Sequence, residues 1–130
     1  MLELPPAIRD WLVGAIERSW PEPAPVVAAI PEALPEGQVV KLAGGGPFGL
    51  MFEGRLDRIE GRLALEVLEN SRMSGENYFR VWDDGTIEQL YPAPRIGYAY
   101  SSPEERETAE QAYFAHNRAA YDLLHERGFL

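Results

Sequence analysis

The sequence predicts an α+β domain in which a four- to five-stranded antiparallel meander is covered on one face by a long C-terminal helix. Two observations lead to this prediction. Between residues 48 and 91, apolar residues alternate in short segments that are separated by turn sequences, a pattern typical of antiparallel strands. Residues 103–127 then follow a 3.6-residue apolar period, and an amphipathic helix of this kind can cover the apolar face of a sheet.

Chain length and composition indicate one globular unit. The 130 residues are 45% hydrophobic and 11% aromatic, enough to bury roughly two-thirds of the unfolded surface around one core. We therefore predict a single domain over residues 1–130. Its expected parts are a helix at 6–19, a proline-rich tether at 20–37, the sheet at 38–91, an aromatic loop at 92–102 and a helix at 103–127.

The N-terminal helix is expected to begin at prolines that suit a first helical turn and to end before Trp20. We expect its apolar face to pack on the body of the domain. That face consists of Leu4, Ile8, Trp11, Leu12, Ala15 and Ser19. Five prolines in residues 20–37 fix φ and remove hydrogen-bond donors, so the tether is predicted to be extended.

The strands are expected to follow in chain order. A first strand at 38–43 leads into a glycine-rich turn at 44–47, which feeds a strand rather than a helix and so lacks the context of a phosphate-binding loop. The next strand begins at Phe48 and ends at a charged turn at 57–61. The strand after it should turn Leu63, Leu65 and Val67 to the inner face, with Arg62, Ala64 and Glu66 on the other.

The last hairpin joins residues 78–82 to residues 86–91 through Asp83-Asp84-Gly85. A two-residue Asp84-Gly85 loop would pair Arg80 with Gln89. We favour a three-residue loop, which puts Gly85 at the left-handed bulge position. It also pairs Trp82 with Thr86 and brings the opposite charges of Arg80 and Glu88 across the strands.

The C-terminal helix has the clearest boundary signals. Ser102 at the N-cap, Pro103 at N1 and Glu105 at N3 form a capping box, and Gly128 suits the position after the last turn. The helical period places eight residues on the face expected to lie on the sheet. They are Ala109, Ala112, Tyr113, His116, Ala119, Ala120, Leu123 and Leu124.

Composition and charge exclude or disfavour several classes of function. There are no cysteines, so disulfides and thiol chemistry are excluded, and the evenly spread net charge of −9 disfavours nucleic acid and anionic membranes. No apolar run is long enough for a bilayer, and the first residues do not resemble a secretory signal, so we expect a soluble cytoplasmic protein. Eleven arginines against one lysine are typical of a GC-rich bacterium. No metal-binding or cofactor-binding spacing occurs, and we predict neither.

Two loops are candidate binding sites. Residues 69–77 are longer than a hairpin needs, and Arg72 would present its guanidinium to a carboxylate or phosphate. The orienting side chains would be Asn70, Ser71, Ser74 and Asn77. The alternative to a binding site is that residues 69–77 form a solvated turn. In the aromatic loop, Tyr98 and Tyr100 suit a partner or a stacked ligand, or instead cover the sheet edge.

The C-terminal helix carries two further candidates. Phe114 and Tyr121 form a second apolar stripe, which would be covered by the N-terminal helix or would serve as a homodimer or partner interface. His116 lies within the main apolar face and has a side chain suited to general acid or base chemistry. The alternative is a buried or half-buried histidine that is hydrogen-bonded to a sheet carbonyl or a tyrosine.

No set of catalytic residues converges in the sequence, so we expect a non-catalytic protein-interaction or regulatory module with a protein partner or self-association. The alternative is a small ligand-binding domain or enzyme with a pocket between the sheet and the C-terminal helix, in which His116, Arg72 and Tyr113 would be catalytic. Acidic mimicry of nucleic acid is a third possibility.

Overall fold

The computed structural model describes residues 1–19, 29–45, 50–71, 75–94 and 101–130. An N-terminal helix, a five-stranded antiparallel sheet and a long C-terminal helix confirm the predicted α+β class. In chain order the elements are β1 (Leu2–Glu3), α1 (Pro6–Ser19), β2 (Ala33–Leu34), β3 (Val40–Gly45), β4 (Leu50–Ile59), β5 (Arg62–Ser71), β6 (Gly75–Trp82), β7 (Ile87–Tyr91) and α2 (Pro103–Arg127). Strands β3 to β7 are neighbours in sequence order, which makes the sheet a meander.

The predicted tether contains a short strand. β2 pairs antiparallel with β1, so that Leu2 lies opposite Leu34, and the amide of Leu4 donates to the carbonyl of Glu32 at 3.0 Å. Two-residue strands carry no periodicity, which is why the sequence pattern did not reveal this pair. The chain before α1 is therefore fastened to the end of the tether, while residues 20–28 lie outside the described part.

The turn between β4 and β5 is shorter than predicted. Only Glu60 and Gly61 form it, with φ of 53° and 81°, and the strand continues to Ile59. Two positive φ values are typical of the tight hairpin turn whose twist matches the strands. The expected turn at 57–61 was wrong because Asp57 and Arg58 are charged strand residues, paired with Ala64 and Leu63.

The predicted long loop at 69–77 is also mostly strand. Glu69 pairs with Asn77, Asn70 with Glu76, and Ser71 with Gly75, so only residues 72–74 join the two strands. Those three residues lie outside the described part. The excess length that suggested a functional loop is therefore absent, because polar residues here extend the ladder beyond the apolar part of the strands.

Helix α1 covers one face of the sheet, as its apolar period predicted. Ile8, Leu12, Ala15 and Ile16 are buried, and the ring of Trp11 packs edge-on against two phenylalanines of the sheet. Those phenylalanines are Phe52, at 6.5 Å between ring centroids, and Phe79, at 5.2 Å. The apolar core of the domain lies between this helix and strands β3 to β6.

Helix α2 packs only its last turns on the opposite face. Leu124 and the following Phe129 join Leu68 and Tyr78 in a second, smaller core cluster. Of the expected inward face, Ala120 and Leu124 are buried, but Ala112, His116 and Ala119 are exposed. That part of the prediction was wrong because α2 crosses the sheet with its C-terminal half. His116 contacts β7 and Arg127 reaches Glu66 of β5 and Asp57 of β4, whereas residues 103–112 are exposed or half-exposed.

Both ends of α2 match the predicted capping signals. The Ser102 hydroxyl accepts a hydrogen bond from the Glu105 amide at 3.1 Å, and Gly128 has a φ of 89°. The amide of Gly128 donates to the carbonyl of His125, and that of Phe129 to Leu124, which satisfies carbonyls of the last turn. The Glu105 carboxylate accepts from Ser101 rather than from Ser102, which completes a shifted capping box.

The last hairpin has the predicted register. Arg80 pairs with Glu88, and the amide of Trp82 donates to the carbonyl of Thr86 at 2.9 Å across the three-residue loop. Gly85 has a φ of 86°, the left-handed conformation that the bulge requires.

Replacing Gly85 with alanine is expected to lower the free energy of unfolding by about 1 kcal/mol, because an L side chain is strained in the left-handed region. An added Cβ would lie 3.5 Å from the Cβ of Ala7, an ordinary contact, so the backbone sets the cost. Urea unfolding measures the loss, and Gly85→Asn is the matched control because asparagine tolerates this conformation. Equal losses in the two variants would contradict the backbone explanation.

Candidate functional site

The structure describes two of the predicted binding residues, and these two do not lie together. Asn70 and Asn77 are described, but their side chains leave opposite faces of the sheet, since Asn70 pairs with Glu76 and Asn77 with Glu69. The remaining members of the set lie outside the described residues, and their roles stay predictions. They are Arg72, Ser74, Tyr98 and Tyr100.

His116 is exposed, and its Nε2 lies 2.9 Å from the carbonyl oxygen of Leu90. The ring therefore donates from Nε2 to a sheet carbonyl, as the non-catalytic alternative predicted, although the expected burial was wrong. The Leu90 carbonyl can accept this hydrogen bond because β7 is irregular at Leu90. Gln89 pairs with Phe79 and Tyr91 pairs with Tyr78, and Leu90 lies between the two pairs. Tyr113 lies one turn before His116 on α2, but Arg72 is outside the described residues, so their convergence stays a prediction.

The two residues of the predicted interface differ in exposure. Tyr121 donates to Glu76 Oε2 at 2.7 Å and packs edge-on against Tyr91, so it contacts its own sheet. Phe114 is 66% exposed, and its ring packs edge-on against Tyr113. Helix α1 lies on the other face of the sheet and does not cover Phe114. The open part of the predicted interface is thus centred on Phe114.

The Tyr121 contact predicts a loss of stability at alkaline pH. Its hydrogen bond to Glu76, with burial and the charge of Glu76, raises the pKa of Tyr121 from 10.0 to about 12. The folded state therefore holds the phenolic proton more tightly than the unfolded state does. The contribution of the Tyr121 phenol to the free energy of unfolding is therefore complete below pH 10.0, and it is lost as the pH rises towards about 12.

We expect the free energy of unfolding to fall over that pH range, and to fall less steeply in Tyr121→Phe, which has no phenol to titrate. Urea unfolding at a series of pH values measures the slope. Glu76→Gln is a second variant that keeps the tyrosine but removes the charge. The same slope in all three proteins would show that this contact does not control alkaline stability.

A buried carboxylate lies on the sheet face opposite α1. Glu66 of the central strand β5 is fully buried, and its Oε2 accepts from Nη2 of Arg80 at 2.9 Å and from Nε at 3.3 Å. Arg127, in the last turn of α2, places Nε 3.2 Å from Glu66 Oε1. We define the Glu66 cluster as Glu66 with Arg55, Asp57, Tyr78, Arg80, Glu88 and Arg127.

Further ion pairs complete the Glu66 cluster. Asp57 Oδ2 lies 3.4 Å from Arg55 Nη2 and 3.5 Å from Arg127 Nη1. At the other side, Arg80 Nη1 lies 3.1 Å from Glu88 Oε2. Three guanidinium groups therefore face three carboxylates, and the cluster is neutral. An added anion would find no excess positive charge there.

Although Glu66 Oε1 and Arg127 Nε form an ion pair at 3.2 Å and Tyr78 lies beside Glu66, four buried polar atoms of this cluster make no well-aligned hydrogen bond with the described residues. They are Arg55 Nε, Glu66 Oε1, Tyr78 OH and Arg127 Nε. Burial and the neighbouring Glu66 charge raise the pKa of the Tyr78 phenol, so it stays protonated near neutral pH.

Sequence reasoning placed Glu66 on the outer face of its strand and missed its burial. The available signal was its position between Ala64 and Leu68, two apolar residues on the same side of β5. A charged residue within a row of apolar residues indicates a buried ion pair. The sequence pattern does not show that one partner is Arg127, at the far end of α2.

Helix α2 carries an exposed row of residues spaced by four, from Arg106 to Asp122. We define this row as the α2 ridge: Arg106, Glu110, Phe114, Arg118 and Asp122, all of them exposed. Residues four apart form a continuous ridge on a helix surface, and such ridges are what neighbouring helices pack against. Within the ridge, Arg106 Nε lies 3.0 Å from Glu110 Oε1.

Comparison with known proteins finds no matching family model, no similar curated protein and no similar solved structure. None of the described helices is both long and apolar enough to cross a membrane. In the described part of the chain, no three histidine, aspartate or glutamate side chains are grouped as metal ligands. The functional argument rests on the Glu66 cluster and the α2 ridge.

Proposed function

We propose that this protein is a non-catalytic interaction module that binds a protein partner through the first two-thirds of α2. The observation that carries the proposal is Phe114, which is 66% exposed at the middle of the helix. All side chains of residues 103–119 are exposed or half-exposed. Although His116 and Asn117 contact Leu90 and Ala93, this part of α2 presents Phe114 to solvent.

An exposed helical surface with a central aromatic residue suits partner binding for two reasons. An isolated helix of this length is only marginally stable in water, so covering one side of it with a partner stabilises it. A phenylalanine contributes a large apolar area for a small loss of side-chain entropy, and interfaces depend on a few such central residues.

Site-specific crosslinking in cells of the source organism tests the proposal. A photoreactive phenylalanine analogue at position 114 is expected to form a covalent adduct with a protein. The matched control carries the analogue at Glu126, which is also exposed on α2 but lies near its packed end. Adducts at both positions, or at neither, would contradict a partner surface centred on Phe114.

The Glu66 cluster supports a second candidate function, the binding of a small polar molecule. The supporting observation is the incomplete hydrogen bonding of this buried cluster, in which Arg55 Nε has no hydrogen-bond partner in the described chain. Because the cluster is neutral and offers both donors and an acceptor, the ligand class it fits is a neutral or zwitterionic molecule rather than an anion.

Thermal unfolding in the presence of a panel of polyols and free amino acids tests this candidate. Binding is expected to raise the melting temperature of the wild-type protein by mass action. Tyr78→Phe removes one of the four polar atoms and should reduce the shift, whereas Tyr121→Phe, outside the cluster, should keep it. If no member of the panel shifts the wild type, or if both variants respond like it, the cluster has a structural role only.

A further inference from the structure

The charges of the α2 ridge are arranged with opposite signs on the two sides of Phe114. Glu110 lies four residues before Phe114 and Arg118 four residues after it. Arg106 lies eight residues before and Asp122 eight residues after. Positions at equal distance from Phe114 therefore carry opposite charges at both spacings.

This arrangement is the one that a twofold axis through Phe114 requires. In an antiparallel pair of identical helices, each position before the axis faces the equivalent position after it on the other copy. We propose that the α2 ridge binds a second copy of this chain in such an antiparallel crossing. The inference rests on the proposed function and names the partner of the same surface.

Each contact across the crossing would join complementary groups. The Phe114 rings of the two copies would meet at the axis, and Glu110 would face Arg118 of the partner subunit. Arg106 would face Asp122 of the partner subunit. A parallel arrangement would instead place Glu110 against the same glutamate of the other chain, and like charges oppose such contact. The ridge charges thus select one orientation.

The geometry of the ridge also suits a helix crossing. Two ridges of i±4 spacing interlock in the most common class of helix packing, with axes inclined by about 50°. All five ridge side chains are exposed, so none has to leave the core to reach a partner. The exposed Arg106–Glu110 pair within one helix would be exchanged for the contacts between copies. Exposed ion pairs contribute little each, so the expected dimer is weak and its charges chiefly determine orientation.

Charge-reversal variants of the full chain test the arrangement by sedimentation equilibrium from about 1 µM to about 1 mM, the range of weak association. Glu110→Arg alone is expected to weaken the dimer by roughly tenfold or more, because it faces Arg118 of the partner subunit. Arg118→Glu alone should do the same. Glu107→Arg is the matched control, since it makes the same charge change at an exposed residue outside the ridge. It should dimerise at least as well as the wild type.

Mixing the two weakened variants provides the decisive measurement. Position 110 of the first then carries arginine opposite the glutamate at 118 of the second, and the reverse contact is also complementary. A heterodimer of roughly wild-type affinity is therefore expected, and the double variant Glu110→Arg/Arg118→Glu should self-associate again. If the mixture stays as weak as its components while the wild type dimerises, the antiparallel contact is wrong.

The outcomes separate this inference from the proposed function. A wild-type protein that stays monomeric at the highest concentration overturns self-association. If position 114 then crosslinks to a different protein, the interaction module stands with another partner. If crosslinking at 114 captures only copies of this chain and the charge variants respond as expected, both hypotheses are supported. All ridge variants are at exposed positions, and circular dichroism should give wild-type helix content for each.

Discussion

Replacing Glu66 with alanine is expected to lower the free energy of unfolding by about 3–5 kcal/mol. The carboxylate is fully buried and is contacted by Arg80 through Oε2 and by Arg127 through Oε1. Without it, both guanidinium groups lose the counterion that offsets their removal from water. Urea unfolding near neutral pH measures the loss.

A control for this substitution is Glu88→Ala, which removes a second carboxylate from the same arginine. The Glu88 side chain is 47% exposed, so solvent screens its pair with Arg80 and the expected loss is below about 1 kcal/mol. The double variant Glu66→Leu/Arg80→Leu should recover part of the stability, since an apolar pair leaves one less buried charge unpaired. Equal losses from Glu66→Ala and Glu88→Ala would show that the buried pair is not a major contributor.

Replacing Leu12 with alanine is expected to lower the free energy of unfolding by about 2–5 kcal/mol. Leu12 is fully buried in the core between α1 and the sheet, and its removal leaves a cavity that the rigid strands beneath can close only in part. Because small domains have a total stability of only about 5–15 kcal/mol, this loss should be visible as a large drop in melting temperature.

Glu17→Ala is the matched control for Leu12→Ala, because it truncates an exposed side chain of the same helix. Alanine is the best helix former, so this variant should be close to the wild type in stability. A small effect of Leu12→Ala, similar to that of the control, would indicate that α1 contributes little to the core.

The parts of the fold that were predictable from sequence are those determined by local chemistry. The ends of α2 follow from Ser102 and Gly128, which satisfy backbone groups that any helix leaves unpaired. The register of the last hairpin follows from Gly85 together with the charges of Arg80 and Glu88. A three-residue loop gives Gly85 its positive φ and also places the opposite charges across the strands. In both cases the determining residue lies within a few positions of the structure it determines.

The parts of the fold and of the candidate site that were not predictable depend on contacts between segments that are distant in sequence. The helical period of α2 indicates which residues share a face, but not how much of the helix has sheet beneath it, so His116 and Ala119 were wrongly expected to be buried. Polar residues at the ends of β5 and β6 resembled a loop because paired strands beyond the core have no apolar alternation. The burial of Glu66 needed Arg127, which only the tertiary structure brings near.

The neutrality of the Glu66 cluster has a consequence for how two molecules would meet in solution. Its six charged groups cancel, so the net charge of −9 lies entirely on the rest of the chain. Two copies therefore repel one another before any short-range contact forms, over about 30 Å at 0.01 M salt and about 10 Å at 0.1 M. Raising the ionic strength between these values should speed the encounter of two copies, the reverse of what salt does to oppositely charged proteins.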